Sequence, residues 1–312
     1  MKKFKKLKWF VSVLLILVFG GYGFNSIMLN YESDKIKAPG EMIEVDGNMI
    51  HVYSEGDNNK MPALVFMSGS STVAPVYDFK TLYKELSDRY RIVVVEKPGY
   101  GYSPEIESSR NIEVLNSEVR GALHEANIKG PYVLVPHSVS GTEAIYYAQM
   151  YPEEVAAIIG LDMFTPSYYE HFDFSDRRGL VELGGLARDL SIFRIPFVYP
   201  LSKLDLTKDE IKQQKYLRNI NALNETYSRE NKYARSNSLK VKELGKLEVP
   251  LLMFTSNGKG LGKDWIKDQH EFASQNDGEV VELNCDHYVH YFKKDKIIEE
   301  MDNFLNQFQI LE

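Results

Sequence analysis

Short apolar segments alternate with amphipathic helical segments along most of this chain, and this alternation restricts its fold more than any other feature. Runs such as PALVF, RIVVV, YVLV, VAAII and VPLLMF are rich in β-branched and aliphatic residues, and each ends at turn residues. Such strands, separated by helices, predict a parallel sheet with helices on both faces. The segment EMIEVDGNMIHVYSEG alternates on either side of Asp46 and Gly47 and predicts an antiparallel hairpin at one edge of the sheet.

The alternation is interrupted once, between residues 165 and 247. This stretch is polar, rich in tyrosine and arginine, and contains helical segments such as TKDEIKQQKYLRNINALNETYSRENKYARSN. It is far too long for a simple loop in a compact domain. We therefore expect a core formed by residues 31–164 and 248–312 and a helical insertion, residues 165–247, over one end of the sheet.

The first 30 residues differ in composition from the rest and are predicted to lie outside the fold. Five lysines in MKKFKKLK precede WFVSVLLILVFGGYGFNSIM, an uncharged segment long enough to cross a bilayer as a helix. The basic flank predicts a single-pass membrane protein whose N-terminus is cytoplasmic and whose remaining chain lies outside the cell. The alternative is a cleaved signal peptide and a secreted protein, although no Ala-x-Ala site follows the apolar segment.

Composition argues against several functional classes. The net charge is −7 even with the N-terminal lysines included, so the body of the chain is acidic and lacks the basic surface that binds nucleic acid. The single cysteine, Cys285, excludes an internal disulfide and zinc–thiolate clusters. The two histidines of DHYVH have no identifiable third partner, and we predict neither a metal site nor a cofactor.

Polar residues follow several of the predicted strands. Ligands bind at the carboxyl ends of strands in an open parallel sheet, so these residues are the candidates for a functional site. Ser138 follows YVLVP, Asp162 ends VAAIIGLD, and His287 follows EVVELNCD. A serine, an aspartate and a histidine thus occur at strand ends in that chain order.

From about residue 40 onward the chain resembles the α/β-hydrolase family. The segment HSVSG is similar to the family's nucleophile elbow, and MSGSS is similar to its oxyanion segment. EKPGYGYS resembles the Asp-x-Pro-Gly-x-Gly-x-Ser turn, with Glu96 in the acidic position, and CDHYVHYF resembles the segment that carries the catalytic histidine. The ordered set is more specific than any single match. The resemblance implies an α/β-hydrolase fold with residues 165–247 as its cap domain.

Ser138 is the candidate nucleophile. In the family this serine sits on a strained turn between a strand and a helix, which projects its hydroxyl clear of the backbone. Small side chains are needed around such a turn, and Ser140 and Gly141 meet that need on the helix side. Pro136 replaces the usual glycine. Proline is bulkier, but it fixes φ and lacks an N–H, which the last residue of a strand can tolerate. A helix-capping role is the alternative for Ser138.

His287 is the candidate general base because it matches the first histidine of the family segment, with His290 as its rival. The acid is harder to assign. The commoner family position follows VPLLMFTS, where SNGKGLGKDW has no carboxylate before Asp264. One subgroup of haloalkane dehalogenases places the acid after the preceding strand, at the position of Asp162. We predict Asp162, with Asp264 next and Asn257 as a weaker orienting group.

The resemblance also implies an oxyanion hole made of backbone N–H groups. One belongs to the residue after the nucleophile, Val139, and the second comes from the turn after ALVFM, at Ser70. Together these residues predict a serine hydrolase that cleaves a carboxylic ester, or a similar acyl bond, of a small molecule through an acyl-enzyme on Ser138.

Other functions stay open on sequence alone. Prolyl-aminopeptidase-like cleavage of a short peptide would need a carboxylate in the cap to hold an amine, and Glu182, Asp189 or Glu225 could serve. A non-catalytic binding or signalling protein on the same fold is favoured by the missing acid at the commoner position. Epoxide hydrolase or dehalogenase chemistry is less favoured because those relatives carry an aspartate where this chain has Ser138.

Overall fold

The computed structural model describes residues 2–56, 62–171 and 178–307. Within them the strands are β1 (Glu41–Val45), β2 (Asn48–Glu55), β3 (Leu64–Met67), β4 (Ile92–Glu96), β5 (Tyr132–Pro136), β6 (Val155–Leu161), β7 (Leu251–Thr255) and β8 (Glu279–Glu282). They form one sheet in the order β1-β2-β4-β3-β5-β6-β7-β8. Neighbouring strands are parallel except in the pairs β1–β2 and β2–β4. This confirms the predicted, mostly parallel sheet with a hairpin at one edge.

Helices cover both faces of the sheet and form the segment between β6 and β7. They are α1 (Lys2–Ser33), α2 (Pro75–Asp78), α3 (Lys80–Leu86), α4 (Ile112–Glu125), α5 (Ser140–Met150), α6 (Tyr168–His171), α7 (Arg178–Asp189), α8 (Lys208–Asn221), α9 (Glu225–Glu243), α10 (Trp265–Gln275), α11 (Val289–Phe292) and α12 (Lys294–Gln307).

Side-chain alternation along the central strands produces two hydrophobic cores. In β3, Val65 and Met67 belong to the cluster that includes residues of α4 and α5, whereas Leu64 and Phe66 belong to the cluster that includes residues of α3 and α12. Successive side chains of a strand point to opposite faces, so a strand covered on both faces must be apolar throughout. This is why these strands appear in the sequence as continuous apolar runs.

The segment predicted as the cap is helical wherever the structure describes it. Helices α6 to α9 lie there, and no strand occurs in residues 165–171 or 178–247. The side chains of Thr207 and Asn224 accept hydrogen bonds from backbone N–H groups in the first turns of α8 and α9, and so begin those helices. Asn224 also donates to the carbonyl of Gly99 at 2.7 Å, which holds the α8–α9 connection on the turn after β4.

Helix α1 contains the predicted membrane span and continues to Ser33. Among the described residues it is the one helix long and apolar enough to cross a membrane. Its second half packs against α7 and α8, and Asn25 and Glu32 are each only 5% exposed. The expectation that the N-terminal segment lies outside the fold is therefore wrong for this half of the helix.

Candidate active site

Ser138 occupies a strained corner between β5 and α5. Its φ is 58°, a value that non-glycine residues rarely adopt. The corner is fixed from both sides, because the carbonyl of Ser138 accepts from the N–H of Phe164 at 2.7 Å and from the N–H of Gly141 at 3.0 Å. The Ser140 hydroxyl donates to the carbonyl of Met67 at 2.7 Å. These contacts hold the conformation in which the side chain of Ser138 stands clear of the strand.

The small residues around the corner are required by close packing. A Cβ at Gly141 would lie 2.4 Å from the carbonyl oxygen of Phe164. A Cβ at Gly69, in the turn after β3, would lie 2.9 Å from the Cβ of Ser138 and 2.9 Å from Nδ1 of His137. A side chain at either position would have to displace these atoms, so both positions require glycine. The role of Gly69 was not identified from the sequence, although MSGSS contains it.

Asp162 and His287 are in direct contact. Nδ1 of His287 lies 2.6 Å from Oδ2 of Asp162, which is fully buried at the carboxyl end of β6. The other carboxylate oxygen, Oδ1, accepts from the N–H of Ser256 at 2.7 Å and from the indole N–H of Trp265 at 2.9 Å. Three hydrogen bonds therefore fix the carboxylate, and it in turn fixes the imidazole. Trp265 was not identified from the sequence, because its contact joins positions 103 residues apart.

The alternative acids lie elsewhere. Asp264 precedes the first residue of α10, and its neighbour Trp265, not Asp264 itself, reaches the Asp162 carboxylate. The side-chain oxygen of Asn257 accepts from the N–H of Lys259 at 3.0 Å in an exposed turn. Of the three residues considered as the acid, the structure brings Asp162 to His287.

The rival histidine, His290, is fully buried next to Asp78. Its Nε2 lies 3.3 Å from Oδ2 of Asp78, without the geometry of a hydrogen bond. Its ring packs edge-on against His137, with the centroids 5.1 Å apart. This position suits a packing residue rather than a base that must meet a substrate.

His137 packs against His287, the candidate base. Its Nε2 lies 3.3 Å from the carbonyl oxygen of His287, and the two rings have centroids 4.7 Å apart. Burial lowers the pKa of His137 well below its ordinary value, and the nearby His287 and His290 lower it further. His137 is therefore uncharged at neutral pH. Sequence reasoning treated it only as part of the elbow.

The candidate site opens into a cavity of about 200 Å³ whose lining includes Gly69, Ser70, Ser138, Val139 and His287. Among the described residues, no backbone carbonyl accepts from the N–H of Ser70 or Val139. Free N–H groups beside the serine are what stabilisation of an oxyanion requires. The structure thus brings the predicted nucleophile, base and oxyanion donors to one cavity, with the predicted acid behind the base.

Part of the cavity wall is charged. Lys97 lies 2.7 Å from Oε1 of Glu143 on α5 and 3.7 Å from Oε1 of Glu230 on α9, and Arg110 lies 3.3 Å from the same Glu230 oxygen. Arg110 also pairs with both oxygens of Glu118. Burial disfavours the charge of Lys97, but the two neighbouring carboxylates outweigh it and raise the pKa of the ammonium. Sequence reasoning did not identify this network.

One carboxylate oxygen in the network is unpaired. Oε2 of Glu143, a cavity-lining residue that is 5% exposed, has no hydrogen-bond partner among the described residues. Burial raises the pKa of Glu143, against the opposing effect of Lys97. By contrast, the three acids suggested for holding an amine are absent from the described cavity lining: Glu182, Asp189 and Glu225. Asp189 instead pairs with Arg188 at 2.9 Å.

Comparison with known proteins gives the family. The family model described as alpha/beta hydrolase fold matches residues 62–294. The chain belongs to this family. Its members are hydrolases, and the fold predicted from the sequence is confirmed.

Three comparisons show how similar this α/β-hydrolase is to individual proteins. It is 38% identical to the uncharacterized protein YbdG of Bacillus subtilis (strain 168) over 164 residues, which are 53% of this chain and 50% of that protein. The Cif epoxide hydrolase from Acinetobacter nosocomialis superposes with a TM-score of 0.65 at 17% identity, over 91% of this chain and 96% of that one. The enol-lactonase from Burkholderia xenovorans LB400 superposes with a TM-score of 0.63 at 16% identity, over 85% of this chain and 100% of that one. At such identities the two structures share the fold, which does not settle the reaction.

Proposed function

We propose that this protein is a serine hydrolase that cleaves a carboxylic ester of a small molecule. The observation that carries the proposal is the Asp162–His287 hydrogen bond of 2.6 Å beside a cavity that also holds Ser138 at a positive φ. Since a carboxylate can only accept, His287 carries its proton on Nδ1, which leaves Nε2 as a base.

In the proposed mechanism, Nε2 of His287 takes the hydroxyl proton as Oγ of Ser138 attacks the substrate carbonyl. The N–H groups of Ser70 and Val139 bind the oxyanion, and Asp162 stabilises the imidazolium that forms. His287 returns the proton to the departing alcohol, which leaves an ester on Ser138. Water, deprotonated by His287, then attacks this ester and releases the acid and the free serine.

The cavity limits the acyl group. Its volume is about 200 Å³, not much more than an engineered apolar cavity of about 150 Å³ that binds benzene. We therefore expect short or compact acyl groups to be favoured over long chains. The remaining substrate would have to extend past the cap helices.

Covalent labelling tests the proposal directly. The full-length protein and its Ser138→Ala variant are treated with a fluorophosphonate probe, with thermal unfolding used to verify that both are folded. Labelling of the wild type alone is expected. If the folded wild type remains unlabelled even with a probe of the smallest alkyl size and turns over no short-chain ester, the catalytic assignment fails and a binding role on this fold takes its place.

Glu143 favours a second candidate, an enzyme for acyl groups that carry an amine, such as aminoacyl esters or prolyl amides. Its unpaired Oε2 is enclosed in the cavity wall, and a small rotation of the side chain would let it accept a charge-assisted hydrogen bond from an ammonium in the cavity. The network at the wall has three carboxylates, Glu118, Glu143 and Glu230, and two cations, so with all three carboxylates ionised it carries one net negative charge that a bound ammonium would balance.

Matched substrates separate the two candidates. Prolyl and cyclopentanecarbonyl p-nitrophenyl esters differ only in the ring amine. Amine recognition predicts a higher kcat/KM for the prolyl ester in the wild type and loss of that preference in Glu143→Gln, by about 10-fold or more for a hydrogen bond to a charged group. Equal kcat/KM for the two esters would exclude the second candidate and leave the first intact.

A further inference from the structure

The cap carries an apolar surface beside helix α1. Its side chains come from one flank of α7 and from the turn after it, and we refer to the set as the cap apolar patch: Leu180, Leu183, Leu186, Ile195, Phe197 and Val198. All six are exposed, Leu183 by 64% and Phe197 by 83%. Single exposed apolar residues are ordinary on soluble proteins, whereas a contiguous group of this kind marks an interaction surface.

The first half of α1 is exposed in the same way. Trp9, Ile16 and Phe19 are 70%, 70% and 72% exposed, and the helix is apolar on every side in this region. Only 6% of the most apolar 18-residue window is buried against the rest of the protein. A helix of this composition requires lipid around it, and α1 has the length to cross a bilayer.

Polar contacts clamp the second half of α1 to the cap next to the patch. Arg194 donates to Oε1 of Glu32 at 2.6 Å and to Oδ1 of Asn25 at 3.2 Å, and Ser191 donates to the same Asn25 oxygen at 3.3 Å. These cap residues lie between the end of α7 and Ile195, within the segment that carries the patch. The patch therefore has a fixed position relative to the helix axis.

Distances along the helix place the contact between the cap and α1 in the outer half of the bilayer. At about 1.5 Å per residue, Gly21 lies about 18 Å from Trp9 and Asn25 about 24 Å from it, within a hydrocarbon layer of about 30 Å. A Cβ at Gly21 would lie 3.1 Å from the carbonyl oxygen of Leu190, at the end of α7. The cap thus meets the helix in the outer half of the bilayer, where an apolar surface next to the helix faces lipid rather than water.

We propose that the cap apolar patch rests in the outer leaflet of the membrane that α1 spans. The occupant of the surface is lipid, because the patch is on and after α7, which contacts α1, and the segment that carries it is fixed to α1 by Arg194. The proposal also makes α1 a retained anchor, since cleavage after the apolar segment would remove Asn25 from its contacts. It does not depend on the proposed catalytic function.

Spin labelling of the full chain in vesicles of phosphatidylcholine and phosphatidylglycerol tests the proposal. Single cysteines replace Leu183, Phe197, Ile16 or Leu239 in a Cys285→Ser background, and each nitroxide is probed with oxygen, which concentrates in lipid, and with a water-soluble nickel chelate. Ile16 is the control within the span, and Leu239 is an exposed cap residue on α9, outside the patch. The proposal predicts an oxygen-to-nickel collision ratio several-fold higher at 183 and 197 than at 239.

Any of three other results would overturn the proposal. Water-like ratios at 183 and 197, with a lipid-like ratio at 16, would mean that the cap stands clear of the bilayer. Protection of 183 and 197 from both reagents, with spin–spin broadening, would mean that a second copy of the chain covers the patch. A water-like ratio at 16 would mean that α1 does not span the membrane.

Discussion

Asp162 and Glu143 are both buried carboxylates near Ser138, but they are held differently. Both oxygens of Asp162 accept hydrogen bonds, from His287, Ser256 and Trp265. Glu143 pairs with Lys97 through one oxygen and leaves the other without a partner. A fully satisfied carboxylate is fixed in place and can orient another group, whereas a half-satisfied one has capacity left for a ligand. The difference supports the positioning role proposed for Asp162 and the recognition role proposed for Glu143.

Asp162→Asn gives the strongest test of the positioning role. The amide oxygen can still accept from Ser256 and Trp265, but the amide N–H₂ would face Nδ1 of His287 and favour the wrong tautomer. We expect kcat for a short-chain ester to fall by about 10⁴-fold, the size of effect seen when a triad acid is replaced in this way. Steady-state kinetics measures the loss, and thermal unfolding verifies the fold.

Asp264→Asn is the matched control, because the sequence offers Asp264 as the next candidate for the acid. It is expected to retain near wild-type kcat. A large loss in Asp264→Asn together with a small loss in Asp162→Asn would reverse the assignment of the acid.

Lys97→Met tests how much the charged network in the cavity wall contributes to stability. Lys97 is 3% exposed, and its removal leaves Glu143 without its cation in a buried site. Leaving a buried charge unpaired costs about 3–5 kcal/mol, so we expect a loss of unfolding free energy of that order in urea titrations of the full chain in detergent. The double variant Lys97→Met, Glu143→Gln should recover part of it, because it removes the uncompensated charge. A loss below about 1 kcal/mol in the single variant would mean that the pair behaves as a solvated surface pair.

Trp265→Phe tests how the hydrogen bond to Asp162 acts on His287. The variant keeps an aromatic ring and removes the indole N–H, which donates to the carboxylate at 2.9 Å. A hydrogen bond to a charged group contributes about 1.5–3 kcal/mol, so a fall of at least about 10-fold in kcat/KM is expected. Gln269→Leu provides the comparison, since Gln269 lies on the same helix and donates to the carbonyl of Met163 at 2.8 Å. Equal falls in the two variants would indicate a general effect of loosening α10 rather than one on Asp162.

Local patterns made much of the fold predictable. Strands covered on both faces must be apolar runs, and the strand–helix corner at Ser138 requires small neighbours, so both features appear within short segments of sequence. The order of polar residues at strand ends also led to the prediction that Asp162 and His287 lie at the same site. In each case the relevant information lies within one element or in the order of elements.

The missed features join residues that are far apart in the chain. The Trp265–Asp162 contact spans 103 residues, Lys97–Glu143 spans 46, and the contact of Arg194 with Glu32 spans 162. No periodicity or spacing encodes such pairs, because they depend on how elements pack in three dimensions. The apolar composition of α1 likewise predicted a span but gave no indication that Asn25 and Glu32 bind the cap.

His137 is another buried titratable group next to Ser138, but unlike Asp162 and Glu143 it becomes positively charged when it binds a proton. Burial, followed by the effects of His287 and His290, lowers its pKa in the folded protein well below the value of about 6.5 that it has when unfolded. Below about pH 6.5 the unfolded chain therefore binds a proton that the folded protein does not. Above that pH, protonation of His137 does not affect the free energy of unfolding. As the pH falls below it, the free energy of unfolding decreases by up to about 1.4 kcal/mol per pH unit.

Replacement of His137 by Phe should remove this part of the pH dependence. Urea unfolding between pH 7 and pH 5 is expected to show a shallower loss of free energy for His137→Phe than for the wild type, whatever the absolute stability of the variant. His270→Gln is the control, because His270 is an exposed histidine that pairs with Glu282 on the surface and should have little effect on the slope. An unchanged slope in His137→Phe would mean that the His137 ring becomes protonated within the folded protein. It would then carry a charge next to His287 that repels the imidazolium of the proposed mechanism.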